Sequence, residues 1–487
     1  MYDVAIIGCG IVGAAAAFTL SRYQVSVVIL EKENDVATGT TKANSAIIHA
    51  GYDCEPGTLM ARLNVRGNSL VQQLCASLDV PYRQCGSLVV ALSEAENAVL
   101  ERLMHRGETN GVPGLRLIDR AALHEREPQV HEDAIAALYA PTAGIVSPWE
   151  LALALAETAV RHGAELRLES EVAGISKIDG GYRIRTENGP VTARYILNAA
   201  GVYADEIHNM AAVPAFRILP DRGEYYLLDK SEGGRVRHIV FPCPDRNGKG
   251  TLVAPTVHGN LIVGPNNEAP GHPGDTATTP EGLAEVAQRA RRIVPSVDLG
   301  ESIRHFAGVR AKTDSRDFIV AEAEGAPGFI DLAGIRSPGL TAAPAIAEMA
   351  VGLLTQSGLA LTEKVDFCGE RKWLRFSALS PEEKAEAVRQ DPAYGHVVCR
   401  CETVTEGEVL AAMRSPIPPR SVDGVKRRTG AGSGRCQGGF CGPRVTALLA
   451  RETGLAPTAV PQDLRGSNQL TGETKVSEIG GSKAGEA

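Results

Sequence analysis

Nowhere in the 487 residues do apolar side chains run unbroken for the roughly 20 positions that a bilayer-spanning helix requires, so no transmembrane segment is expected. Excess positive charge is missing as well. Lys and Arg number 50 against 58 Asp and Glu, giving a formal net charge of −8 and a pI near 5.9, which excludes a general nucleic-acid binder while leaving small anionic metabolites as ligands. The apolar N-terminus has neither the charged region nor the cleavage site of a secretory signal, and the expected location is the cytoplasm. There is no internal repeat. Of the ten cysteines, Cys9, Cys54, Cys75, Cys85, Cys243 and Cys368 stand alone, as small buried residues do in a reducing compartment.

With 44% apolar residues, a chain of this length supports two or three domains. It opens with "YDVAIIGCGIVGAAAAFTL", an apolar strand, a glycine turn and an alanine-rich helix, followed by "VSVVILEK", a second strand. Together these make a βαβ unit, the start of a doubly wound sheet. Gly8, Gly10 and Gly13 fit the dinucleotide fingerprint in its required context. The first permits the tight turn, the second lets the backbone approach a pyrophosphate, and the third lets helix pack on strand. Glu31 closes the second strand, where a carboxylate accepts hydrogen bonds from a ribose diol. The helix N-terminus supplies the phosphate-facing dipole.

Four cysteines form two close pairs, Cys399 with Cys401 in "VVCRCETV" and Cys436 with Cys441 in "GRCQGGFCG". Glycines at 434, 438, 439 and 442 relax the backbone so that the pairs can converge on one centre. Disulfides are disfavoured in a reducing compartment, and the single-residue spacing of Cys399 and Cys401 fits structural zinc poorly. A [2Fe-2S] cluster, zinc and a metal-free domain remain the readings at this level. Lys426, Arg427, Arg428 and Arg435 stand nearby, to offset cluster charge, to form a solvated face or to dock another surface.

"EKENDVATGTTKANSAIIHAGY" resembles the flavin-binding segment of the FAD-dependent oxidoreductases related to D-amino-acid oxidase and glycerol-3-phosphate dehydrogenase. The resemblance implies that Thr40, Thr41, Asn44 and Ser45 line the pyrophosphate and flavin and that His49 reaches the isoalloxazine. "NAAGVYAD" carries Ala200 and Gly201 in the turn against the cofactor, and "SEVAGI" puts Val172 beside adenine. "GIRSPGLTAAPAIAE" brings the amides of Gly339, Leu340 and Thr341 to the flavin carbonyl edge. The paired cysteines resemble the bacterioferritin-associated-ferredoxin-like [2Fe-2S] domain, with Cys399, Cys401, Cys436 and Cys441 as ligands. "RTGAGSGRCQ" departs from that pattern at Gly430 and Ser433, where a bulkier residue is expected.

These likenesses imply an α/β chain: a Rossmann-like FAD-binding domain (1–80, 94–213 and 317–364) with an inserted, mainly antiparallel β-sheet substrate domain (81–93 and 214–316). A linker (365–392), a small C-terminal [2Fe-2S]-binding domain (393–457) and a flexible tail (458–487) complete it. Up to about residue 463 the chain resembles the catalytic A subunits of anaerobic glycerol-3-phosphate dehydrogenases, through "GEYYLL", "FAGVRAKTD" and the motifs above. The implied reaction takes sn-glycerol 3-phosphate to dihydroxyacetone phosphate by hydride transfer to flavin. Electrons then leave through the cluster to a second flavoprotein or a membrane-associated acceptor subunit, which would hold the protein at the inner face of the membrane. A neutral imidazole suits removal of the hydroxyl proton, and His49 is the first candidate, ahead of His258 and His305. Arg310 lies where related flavoenzymes place a substrate arginine, with Lys312 and Arg336 able to assist or to form ordinary ion pairs. "NSAIIHAGY" also resembles L-2-hydroxyglutarate dehydrogenases, and amine or amino-acid oxidases of opine type share the fold. Both stand as alternatives.

Overall fold

The apolar opening of the chain becomes strand Tyr2–Ile7 in the computed structural model, which describes residues 1–244, 248 and 250–472. Gly8 ends the strand, and helix Ile11–Leu20 runs on from Gly10. Val27–Leu30 and Gly189–Asn198 flank the first strand, both parallel to it, and Glu165–Arg167 extends the sheet beyond Val27–Leu30. Phe329–Ala333 joins the far side of Gly189–Asn198, also parallel. Nearly continuous burial of these strands is what a parallel sheet covered on both faces requires.

Four helices, Ile11–Leu20, Leu59–Ser77, Pro148–Arg161 and Gly339–Gln356, share one apolar core on this sheet. Small residues set their spacing. Ala14 to Ala17 are almost wholly buried, and a Cβ on Gly67 would lie 2.1 Å from the Thr341 carbonyl oxygen, so two helices cross in backbone contact there.

A second sheet of eight strands runs in the spatial order Ser302–Thr313, Ile218–Leu228, Leu261–Gly264, Leu252–Pro255, Ile239–Pro242, Ser87–Ala91, Ala136–Ala140, Arg116–Asp119. Every pairing is antiparallel except that of Ile239–Pro242 with Ser87–Ala91. The expected boundary therefore shifts. Residues 94–140, expected in the FAD-binding part, contribute two strands to this sheet, because Ala136–Ala140 hydrogen-bonds along the whole of Ser87–Ala91.

The C-terminal part has its own small core around Val398, Val409, Val425 and Val445, built on a two-stranded ribbon and helices Glu406–Met413, Val422–Thr429 and Gly442–Thr453. The connecting segment carries helix Pro381–Gln390. The flexible tail expected from residue 458 corrects in its first part: Val422 and Asp423 amides bond Pro461 and Gln462 carbonyls at 3.1 and 2.7 Å, and Val460 is buried. Residues 473–487 of that tail lie outside the described residues. Among the described residues no helix is long and apolar enough to cross a membrane.

Candidate active site

Gly8 has φ +96°, and a Cβ there would meet the Ala199 carbonyl oxygen at 2.6 Å. One on Gly13 would lie 2.0 Å from the Gly8 oxygen. The first turn and the Asn198–Gly201 turn are thus packed backbone to backbone, as a pyrophosphate cradle needs. The Ile11 amide donates to Thr41 Oγ1 at 2.9 Å, tying the 40–42 turn to the N-terminus of helix Ile11–Leu20, whose first turn holds no acid. A negative ligand is favoured there. Glu31 accepts from the Cys9 and Glu33 amides at 2.7 and 3.0 Å, and burial pushes its carboxyl above the ordinary value. Val172 and Ala200 line the same end.

Toward the other end, Asn44 Nδ2 donates to the Thr40 and Thr41 carbonyls at 3.1 and 2.9 Å, and Thr40 Oγ1 donates to the Val309 carbonyl at 2.5 Å. Ser45 hydrogen-bonds Tyr225, whose ring stacks on Phe306 with centroids 4.8 Å apart. A Cβ on Gly308 would stand 1.8 Å from the Ala43 oxygen, so the strand Ser302–Thr313 is in backbone contact with the cofactor loop. Gly308 went unremarked in the sequence, where only its place in "FAGVR" marks it.

His49 comes together with the expected flavin turn. Its amide donates to Thr341 Oγ1 at 2.9 Å, its Nε2 lies 3.2 Å from Ser337 Oγ, and its carbonyl accepts from Asn68 at 3.1 Å. The Phe241 ring is 6.1 Å from the imidazole. Gly339 donates to the Arg336 carbonyl at 2.6 Å, and Leu340 and Thr341 occupy the first helical turn, where amides have no carbonyl one turn earlier to bond.

Arg310 and Lys312 share one side of their strand and line the same cavity as His49 and Arg336, a space of about 1330 Å³. Arg310 Nη2 is 2.7 Å from Asp221 Oδ1 and also reaches the Arg222 and Asn266 carbonyls, both at 3.2 Å, and Asn267 Oδ1 at 3.1 Å. Asp221 is a site residue that sequence reading missed. His258 lines the cavity stacked on Trp149, 3.7 Å from Glu150, and His305 lies edge-on to Tyr226.

The C-terminal domain walls the same cavity through Glu402, Lys426, Ser433 and Gln437. Its four thiols meet in twos: Cys401 Sγ is 3.7 Å from Cys436 Sγ, and Cys399 hydrogen-bonds Cys441. That bond holds the Cys399 thiol down at about 6 and pushes Cys441 up. Amides of Glu402 and Gly432 bond the Cys399 sulfur, and those of Phe440 and Gly438 bond that of Cys436. Among the described residues no three His, Cys, Asp or Glu side chains gather on one point. Two thiols at each of two ends, ringed by amide donors, suit a centre of two irons with two ligands each. A Cβ on Gly434 would sit 2.4 Å from Cys401 Cβ, which explains that glycine, and Gly430 ends helix Val422–Thr429 at φ +83°.

Three of the four basic residues form ion pairs with the rest of the chain. Arg428 Nη2 and Arg427 Nη2 contact the two oxygens of buried Asp35 at 2.8 and 2.9 Å, and Arg427 Nη1 is 2.7 Å from Asp463, which also pairs with Lys42. Arg435 pairs with Glu301. Burial pushes the Lys426 ammonium down to about 8.

Residues 3–353 match the family of FAD dependent oxidoreductases, and residues 397–451 match the BFD-like [2Fe-2S] binding domain. The chain is 47% identical over 476 residues to a glycerol 3-phosphate dehydrogenase of Caloramator mitchellensis, covering 98% of this chain and 99% of that one. It is 31% identical to human mitochondrial L-2-hydroxyglutarate dehydrogenase over 366 residues, 65% of this chain and 79% of that one. Among solved structures it resembles the dithionite-reduced L-alpha-glycerophosphate oxidase of Mycoplasma pneumoniae with FAD bound, at TM-score 0.72 and 31% identity, over 77% of this chain and 99% of that one. The glycine cradle, the paired thiols and the matched segments agree: the chain belongs to the family of FAD dependent oxidoreductases, extended at its C-terminus by a BFD-like [2Fe-2S] binding domain.

Proposed function

We propose that the protein is a dehydrogenase that oxidises sn-glycerol 3-phosphate to dihydroxyacetone phosphate. The observation that carries this reading is one cavity lined by His49, by the cations Arg310 and Lys312, and by the dinucleotide cradle. A secondary alcohol loses a proton from oxygen and a hydride from carbon, so the chain must supply a base and hold the anionic end still. His49 takes the hydroxyl proton, its backbone fixed by Thr341 and Asn68. Arg310 and Lys312 receive the phosphate, the planar fork of Arg310 being steadied by Asp221. FAD, held by the glycine cradle, would accept the hydride, and a [2Fe-2S] cluster held by Cys399, Cys401, Cys436 and Cys441 would pass the electrons on singly. The near-full-length likeness to a glycerol 3-phosphate dehydrogenase supports this substrate, and the cluster domain supports a partner acceptor, a second flavoprotein or a membrane-associated subunit, over oxygen.

The same cations would hold a carboxylate, so an L-2-hydroxy diacid is the second reading. Anaerobic bleaching of the flavin band decides between them. Glycerol 3-phosphate should bleach it rapidly, with L-2-hydroxyglutarate and a panel of amino acids ineffective. Bleaching by one of the others alone replaces the substrate.

A further inference from the structure

The four thiols differ in depth. Cys399 and Cys441 are 1% and 2% exposed, whereas Cys401 is exposed and Cys436 half-buried, so one end of the thiol set lies at the surface. Phe440 stands beside that end, 81% exposed, with its backbone amide bonded to the Cys436 sulfur. Phe440 therefore offers a whole aromatic ring to an approaching surface beside the thiol set.

The surroundings give the patch a sign. Arg400 precedes Cys401 and is exposed; Arg444, one helical turn after Phe440, is exposed and donates to the Val397 carbonyl at 3.2 Å, placing the partly exposed Val397 at the patch edge. Neither arginine forms an ion pair among the described residues. Two acids of the same domain are paired, Glu402 with Lys230 at 2.8 Å and Glu406 with Arg451 at 3.0 Å. On a chain of net charge −8, this face is apolar and positive.

We propose that Phe440, Val397, Arg400 and Arg444 form the docking face for a one-electron acceptor protein whose contact surface is apolar and ringed by carboxylates. Aromatic and arginine side chains supply most of the energy in such contacts, and opposite charge steers the encounter. In the step itself the reduced cluster loses one electron and the acceptor gains it, with no bond made or broken. The inference rests on the reading above only in that the cluster hands electrons onward.

The test uses full-length protein carrying both cofactors, with the haem domain of cytochrome b5, whose haem edge is ringed by carboxylates, as probe and lysine-ringed cytochrome c as control. Binding is followed at low salt by broadening of the haem-domain NMR signals. Cytochrome b5 should bind more tightly than cytochrome c and weaken with added salt. Phe440→Ser and Arg444→Glu should each weaken it about tenfold, with Phe440→Leu and Arg444→Lys retaining most of the binding and the cluster's spectrum unchanged in all four. Reduction with dithionite, removal of the excess by anaerobic gel filtration, and mixing with ferric cytochrome b5 should show the same order in haem reduction. Equal binding by wild type and both disruptive variants, or preference for cytochrome c, overturns the docking face. Because dithionite replaces the substrate, failure of glycerol 3-phosphate to bleach the flavin overturns only the functional reading.

Discussion

His49 is fixed through its backbone on both sides, by Thr341 and Asn68, while its ring stays at the cavity between Ser337 and Phe241. Fixing the backbone leaves the imidazole as the chemically variable part. His49→Asn keeps a polar side chain of similar reach and should leave FAD bound while slowing substrate-driven flavin reduction by roughly 100-fold or more, measured by anaerobic stopped flow; an unchanged rate removes the base role. The glycine fingerprint was legible because it is a contiguous motif, and the resemblance of the flavin segment pointed to His49, which lines the cavity. Asp221 was not legible. It faces Arg310 only because strands Ile218–Leu228 and Ser302–Thr313 pair with those two residues opposite each other, a register no motif encodes.

The most deeply buried ion pair in the docking of the cluster domain centres on Asp35. Burial alone would raise the carboxyl of Asp35, but the guanidinium groups of Arg428 and Arg427 outweigh it and hold the carboxyl well below the usual carboxylate range. A depressed folded value means that the contribution is fully present above the ordinary aspartate pKa of about 3.9 and is lost as the pH falls below it. Between pH 5 and 8 this contact should therefore be insensitive to pH. Asp35→Asn leaves the buried guanidinium of Arg428 without its counter-charge and Arg427 with Asp463 alone, and should cost about 3–5 kcal/mol, read as a lower melting temperature at pH 7 and faster hydrogen exchange in helix Val422–Thr429. At the level of elements, the alternation of strand and helix announced the first sheet. The placement of 94–140 on the second sheet was hidden, since short apolar strands carry no mark of which sheet they join. The role of Arg427 and Arg428 was hidden for the same reason: a basic run reads alike whether it faces a cluster, water or a distant aspartate.

Across the whole molecule, the glycine cradle, Arg310 with Lys312, and residues of the C-terminal domain wall one cavity. Cys436→Ser should abolish the cluster's electron paramagnetic resonance signal and leave flavin bleaching by glycerol 3-phosphate intact. Loss of bleaching as well would contradict two independent centres. The division of labour among three parts was readable from the order of the motifs, but their closure on a common space depends on contacts between residues hundreds of positions apart. The grip of Arg428 on Asp35 spans 393 residues. On the ribosome, at ~5–20 residues per second, the cofactor loop emerges roughly 20–80 s before the arginines that complete its burial. The flavin domain, complete only once helix Gly339–Gln356 has emerged, must therefore fold with that aspartate bare and hold until the arginines follow, and closure of the cavity is among the last events of its biogenesis.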